Sequence, residues 1–252
     1  MRGISVAAIL AVGLSAAVAL PAAADFRVKY PDAEAGEFAL EPIGDLGYDP
    51  LPAHSGEASF VQEAEYGVNG FWLTELELEA ARPAGPGQSV AFSQVTWENV
   101  FQFTERGEYW ADAGFFGEFG WSTLPGTANE TTFGPIFRKE IFHTINTVNL
   151  FLTTDLGANS SGRPGFLYAW ETRIALGTPV EPGFQAYGMP SSFPEHSNTG
   201  WPNDNRIGPQ LFGAIHNIGP GTLNWNGGIL FGIRPGAPRN TWRWQAEYEI
   251  HF

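Results

Sequence analysis

The sequence predicts an all-β fold, an antiparallel up-and-down transmembrane β-barrel of about twelve strands. Three observations predict it. Apolar and polar residues alternate with period two over most of the chain. An apolar segment at the start is followed by no other run long enough to span a bilayer as a helix. Residues 242–252 place an apolar side chain at every second position and end on Phe252.

Residues 1–24 read as a cleaved signal peptide. Arg2 supplies the positive start, Ile4 to Leu20 the apolar stretch, and Ala22-Ala23-Ala24 a small-residue cleavage site. A run of about 17 apolar residues is at the lower edge for a membrane anchor, and the Ala-x-Ala ending favours cleavage near Ala24. Residues 25–252 are then expected to form one exported barrel domain.

Composition agrees. Hydrophobic residues make up 43% of the chain and aromatics 14%, a large apolar surface to place. The 31 Gly and 19 Pro cluster between apolar runs, as turns of an all-β fold require. With no Cys there is no disulfide framework, thiolate zinc site or thiol nucleophile. The formal charge is −14, and one unit more negative without Arg2. That balance speaks against nucleic acid as a partner, because phosphate binding needs basic patches.

Strand starts are expected near Glu37, Ala58, Phe71, Gln88, Tyr109, Thr131, Ile145, Gly165, Val180, Arg206, Thr222 and Thr241, the first, sixth and ninth being the weaker patterns. The clearest alternation runs from Tyr109 to Trp121. Tyr109, Ala113, Phe115, Phe119 and Trp121 share one face, while Asp112, Phe116 and Glu118 share the other. Between Phe71 and Ala81, Trp72, Thr74, Leu76 and Leu78 oppose Glu75, Glu77 and Glu79. Short connections are expected at 67–70, 104–108, 143–144, 177–179 and 217–221. Longer ones are expected at 45–56, 82–87, 122–130, 157–164, 189–205 and 234–240, and the two kinds alternate as periplasmic turns and extracellular loops do. Residues 26–36 read as a short periplasmic lead-in.

The last strand has Trp242, Trp244, Ala246, Tyr248, Ile250 and Phe252 on one face and Arg243, Gln245, Glu247, Glu249 and His251 on the other. It resembles the C-terminal strand of bacterial outer-membrane barrels, which in that group is what the barrel-assembly machinery recognises. The resemblance implies an outer-membrane location, with outer-membrane lipid and that machinery as partners.

On this register the inward charges are sorted by chain half. Glu63, Glu65, Glu75, Glu77, Glu79, Glu98, Asp112 and Glu118 lie in the first half, and Arg138, Arg173, Arg206 and Arg243 in the second. The lumen is expected to set an acidic wall, with Glu75, Glu77 and Glu79 as its ladder, against a more basic wall carrying Arg138, Arg173 and Arg243. Such a field would orient a polar or zwitterionic solute or favour cations near the acidic side. The structural alternative is that these charges pair within a filled lumen.

The stretch Glu63-Ala64-Glu65-Tyr66-Gly67-Val68-Asn69-Gly70-Phe71-Trp72-Leu73-Thr74-Glu75-Leu76-Glu77-Leu78 resembles a hairpin of the outer-membrane transporter family named for the MetA pathway of phenol degradation. Gly36-Glu37-Phe38-Ala39-Leu40-Glu41 is similar to the first strand of such proteins. The resemblance covers two short segments and implies a transport role with no substrate. The function expected is therefore an outer-membrane channel or transporter for small solutes, and not an enzyme. The alternatives are a structural or adhesive barrel and an outer-membrane lipid hydrolase.

The hydrolase rests on His196-Ser197. Adjacent residues on a strand point to opposite faces, and this pair sits in a Pro- and Asn-rich stretch, which reads better as a solvated loop. His54, His143, His196, His216 and His251 lack the spacing of a local metal pair. Asp45, Asp49 and Asp204 read as turn residues before calcium ligands. Gly227-Gly228 precedes no helix, so no phosphate loop is implied. No cofactor or metal is expected.

Overall fold

The computed structural model describes residues 27–160, 162–190 and 203–252. The targeting segment 1–24, the His196-Ser197 pair and most of the loop expected at 189–205 lie outside the described residues. The described chain is a closed antiparallel barrel of twelve strands in sequence order, with the first strand sealed to the last.

The strands are β1 Glu37–Tyr48, β2 Ala58–Asn69, β3 Trp72–Arg82, β4 Ala91–Gln102, β5 Asp112–Ser122 and β6 Asn129–Ile141. They continue as β7 Thr144–Leu156, β8 Pro164–Ile174, β9 Val180–Met189, β10 Asp204–Ile218, β11 Gly221–Gly232 and β12 Asn240–His251. Each begins within three residues of the place the alternation predicts. The largest departures are β4 and β5, each starting three residues later than expected. Tyr109, Trp110 and Ala111 belong to the connection from β4, which makes that turn longer than expected. The turn holds its own backbone. Asp112 accepts the Gly107 N–H at 2.6 Å, Thr104 Oγ1 accepts the Ala113 N–H at 2.9 Å, and Gly107 takes a positive φ of 75°.

The alternation sorts side chains by face. Leu40, Leu76, Leu78, Leu150, Leu152 and Leu211 are exposed on the outside, while Glu63, Glu75, Glu77, Glu79 and Glu98 are buried inside. A barrel that turns leucines outward and carboxylates inward is built for lipid, where closure also satisfies every strand edge. The charged side chains on the outer face, Arg82 and Lys139, stand at or near strand ends.

Two features mark the seams. Pro42, Pro135 and Pro209 lie within strands, and each coincides with a gap in one ladder, between Leu40 and Ile43 toward β12, Phe133 and Ile136 toward β7, and Ile207 and Gln210 toward β11. A residue without an N–H keeps its partner on only one side. At the closing seam, the Trp244 indole fills the space where a Cβ on Gly44 would stand, and Arg243 Nη1 donates to Asp45 at 2.7 Å.

The inside is filled. Val100, Phe116, Ile136 and Phe151 form one apolar cluster, with Phe116 and Phe151 stacked at 4.8 Å. Val28, Ala169, Tyr187, Met189 and Leu230 form another. Val28 belongs to no strand. Residues 27–35 run inside the barrel, with Arg27, Val28, Lys29 and Ala33 buried, and reach β1 at its short-turn end. The segment read from sequence as an external lead-in is therefore internal. Val28 belongs to the second cluster, Lys29 stands over Phe116 of the first, and Arg27 and Lys29 meet the acidic wall.

Candidate functional site in the barrel lumen

The inward glutamates are set in direct cross-strand register. Glu41 faces Glu63, which faces Glu77, across β1, β2 and β3. One step along, Glu65 faces Glu75, Glu75 faces Glu98, and Glu98 faces Glu118. Like charges directly opposite one another repel, and inside a barrel little water screens them. Such a wall needs counter-charge close by.

Residues 27–35 supply it. Arg27 pairs with Glu63, Glu77 and Glu98, the last at 2.5 Å. Lys29 Nζ lies 3.1 Å from Glu63 and 2.5 Å from Glu98, pairs with Glu75, and stands 5.6 Å over the Phe116 ring. Burial and the neighbouring Arg27 both act to discharge the Lys29 ammonium, but Glu75, Glu98 and Glu65 more than offset them and hold its pKa above the ordinary lysine range.

Neutral contacts fix the backbone. Asn149 accepts the Lys29 N–H and donates to the Lys29 carbonyl, both at 2.8 Å. Gln102 accepts the Ala33 N–H at 2.8 Å. The Tyr30 hydroxyl donates to Glu171 at 2.9 Å, and Gln185 donates to the same carboxylate at 2.8 Å. Asp32 accepts from Arg138, at 2.6 Å for Nη2. Two wall glycines make room. A Cβ on Gly67 would overlap the Glu34 carbonyl, and one on Gly114 would stand 2.9 Å from Pro31 Cβ.

The other sequence-predicted charges are also placed. Glu79 is buried and accepts from Ser59 at 3.2 Å, and Glu118 lines a small cavity of about 50 Å³ beside Arg27 and Lys29. Asp112 accepts from Arg138 Nε at 3.1 Å. The arginines do not stand across the lumen from the acidic wall as their counter-ions. Arg138 pairs with neighbouring Asp112 and with Asp32, and Arg173 with Glu181 at 3.3 Å. Arg206 pairs with Glu57 at 2.6 Å and with Asp204, and Arg243 pairs with Asp45. Each guanidinium takes at least one carboxylate on its own or an adjoining strand, and two reach further, Arg138 to Asp32 of the inner segment and Arg206 to Glu57 ahead of β2.

Arg27 and Lys29 were hidden from sequence reading by their place in an irregular segment without periodicity. The row of facing glutamates was the available signal that a cation had to enter from elsewhere. Two larger cavities flank the segment at the short-turn end. One, of about 360 Å³, is lined by Arg27, Lys29, Glu37, Glu65 and Glu249 among others. The second, of about 710 Å³, is lined by Tyr30, Arg106, Arg173, Asn226 and Glu247 among others.

No family model and no curated protein matches the chain. Among solved structures it is similar to CdiB from Escherichia coli, at 10% identity and TM-score 0.45 over 89% of this chain and 64% of that one. The chain therefore spans less than two thirds of the CdiB length. A bacterial polysaccharide outer membrane secretin is similar at 8% identity and TM-score 0.32, over 86% of this chain and 99% of that one. OccK11 (OpdR) of Pseudomonas aeruginosa is similar at 10% identity and TM-score 0.28, over 90% of this chain and 100% of that one. Likenesses at these values say nothing of what the lumen binds or passes, which rests on this chain's own residues.

Proposed function

We propose that the chain is a bacterial outer-membrane channel for small solutes, exported with cleavage near Ala24 and inserted through its C-terminal strand ending in Phe252. The observation that carries the reading is the segregation of faces, apolar outward and charged inward, in a closed barrel whose interior holds cavities of about 360 and 710 Å³. A charged inner wall beside cavities of this size suits water or a polar solute. The resemblance to the MetA-pathway transporter family supports the same reading.

A structural or adhesive barrel is the second reading, favoured by the packing of residues 27–35 across the lumen. Planar-bilayer recording separates the two. The refolded wild-type chain and an Asn149→Ala variant, which frees the Lys29 backbone, are expected to give unitary current steps, more often in the variant. Silence from both, with each folded as a heat-modifiable barrel, would leave the structural reading standing.

A further inference from the structure

Residues 27–35 belong to no strand, yet they partition the lumen. The cavity of about 360 Å³ is lined by residues from Arg27 to Glu34, that of about 710 Å³ by Tyr30 and Asp32, and that of about 50 Å³ by Arg27 and Lys29. The segment thus lines all three cavities. The segment is also anchored asymmetrically. Its far end holds to the wall by hydrogen bonds and ion pairs, while its near end is fixed by the Gly36 N–H to the Gly67 carbonyl at 2.8 Å, next to β1.

We propose that this segment is a tethered, self-competing plug, and that Arg27 and Lys29 sit where a permeating organic cation sits once the plug leaves. The proposal rests on the channel reading above. Three observations carry it. A guanidinium and an ammonium are already bound among Glu63, Glu75, Glu77 and Glu98, delivered by a piece of chain that is not part of the wall. The wall is shaped to the plug by Gly67 and Gly114, as a seat rather than a chance collapse. With the plug withdrawn, the facing glutamates lose the cations that neutralise them. The second-half arginines do not replace them, being paired with carboxylates elsewhere. A solute carrying a guanidinium or primary ammonium group restores that neutralisation, and an anion does not.

Two variants test this. Arg27→Gln with Lys29→Gln removes the bound cations. Asn149→Ala removes the neutral clamp on the Lys29 backbone and keeps every native charge. Recordings are made in a potassium chloride gradient, with guanidinium chloride as the probe cation. Asn149→Ala is expected to open more often than wild type. The double glutamine variant is expected to open roughly tenfold more often than wild type, with potassium preferred to chloride. Guanidinium should reduce its potassium current, and should fail to do so when Glu63→Gln and Glu98→Gln are added. Both variants opening no more often than wild type would overturn the plug. Openings without cation preference, or indifferent to guanidinium, would overturn the cation seat while leaving the channel intact. Silence of every variant, all heat-modifiable, would overturn the channel reading itself. If the glutamine variant does not fold, Asn149→Ala decides, because it keeps every native charge.

Discussion

At the scale of single residues the lumen is a problem of charge balance. Arg27 reaches Glu63, Glu77 and Glu98 from one position, so its removal leaves several buried carboxylates short of a partner. Arg27→Ala is expected to destabilise the barrel by about 3–5 kcal/mol, and Arg27→Lys by less, as read from urea unfolding in lipid vesicles. An unchanged midpoint for the alanine variant would mean that the carboxylates find water or other cations. The glutamates themselves were legible in the sequence, because alternation alone puts Glu75, Glu77 and Glu79 on one face. That Glu63 faces Glu77 was not, since it depends on the register across the turn at 70–71. Asn149 and Gln102, the amides that clamp the plug, carry no signal in sequence beyond lying on inward positions.

Among the elements, β1 and β12 matter most, because their pairing closes the barrel. The Trp244 indole lies over Gly44, and Pro42 already interrupts hydrogen bonding nearby, so this seam depends on side-chain packing. Gly44→Val forces the indole off its site and is expected to lower stability by about 1–3 kcal/mol. The same substitution at Gly117, where a Cβ meets nothing within 4 Å, should be far milder. Equal loss at both sites in a thermal-melt comparison would show that the seam is not special. β12 was readable in full from its alternating aromatics. The start of β5 was not, because Tyr109, Trp110 and Ala111 continue the alternation into a turn that Gly107 and Asp112 shape locally. Period two is a necessary mark of a strand, and chance supplies a few extra residues of it.

For the whole molecule, the division between outer and inner faces sets what lipid tolerates. Leu150 lies on the outer face, midway along β7. Leu150→Arg is expected to destabilise the inserted barrel by about 2–4 kcal/mol, measured as a shift in the folding midpoint in vesicles. Thr144→Arg, at the end of the same strand, should shift it little. The tether gives the molecule a direction. Arg27 and Lys29 lie deep in the lumen, while Asp32 and Glu34 lie toward the mouth from which the segment enters. Withdrawal toward the short-turn end carries two positive charges through more of the membrane than it carries the negative ones. A full crossing is worth about 2.3 kcal/mol per charge at 100 mV. On the plug proposal, voltage of one sign is expected to drive the segment home and the opposite sign to draw it out, so that a current–voltage recording would show rectification, with current passing more readily in one direction than in the other.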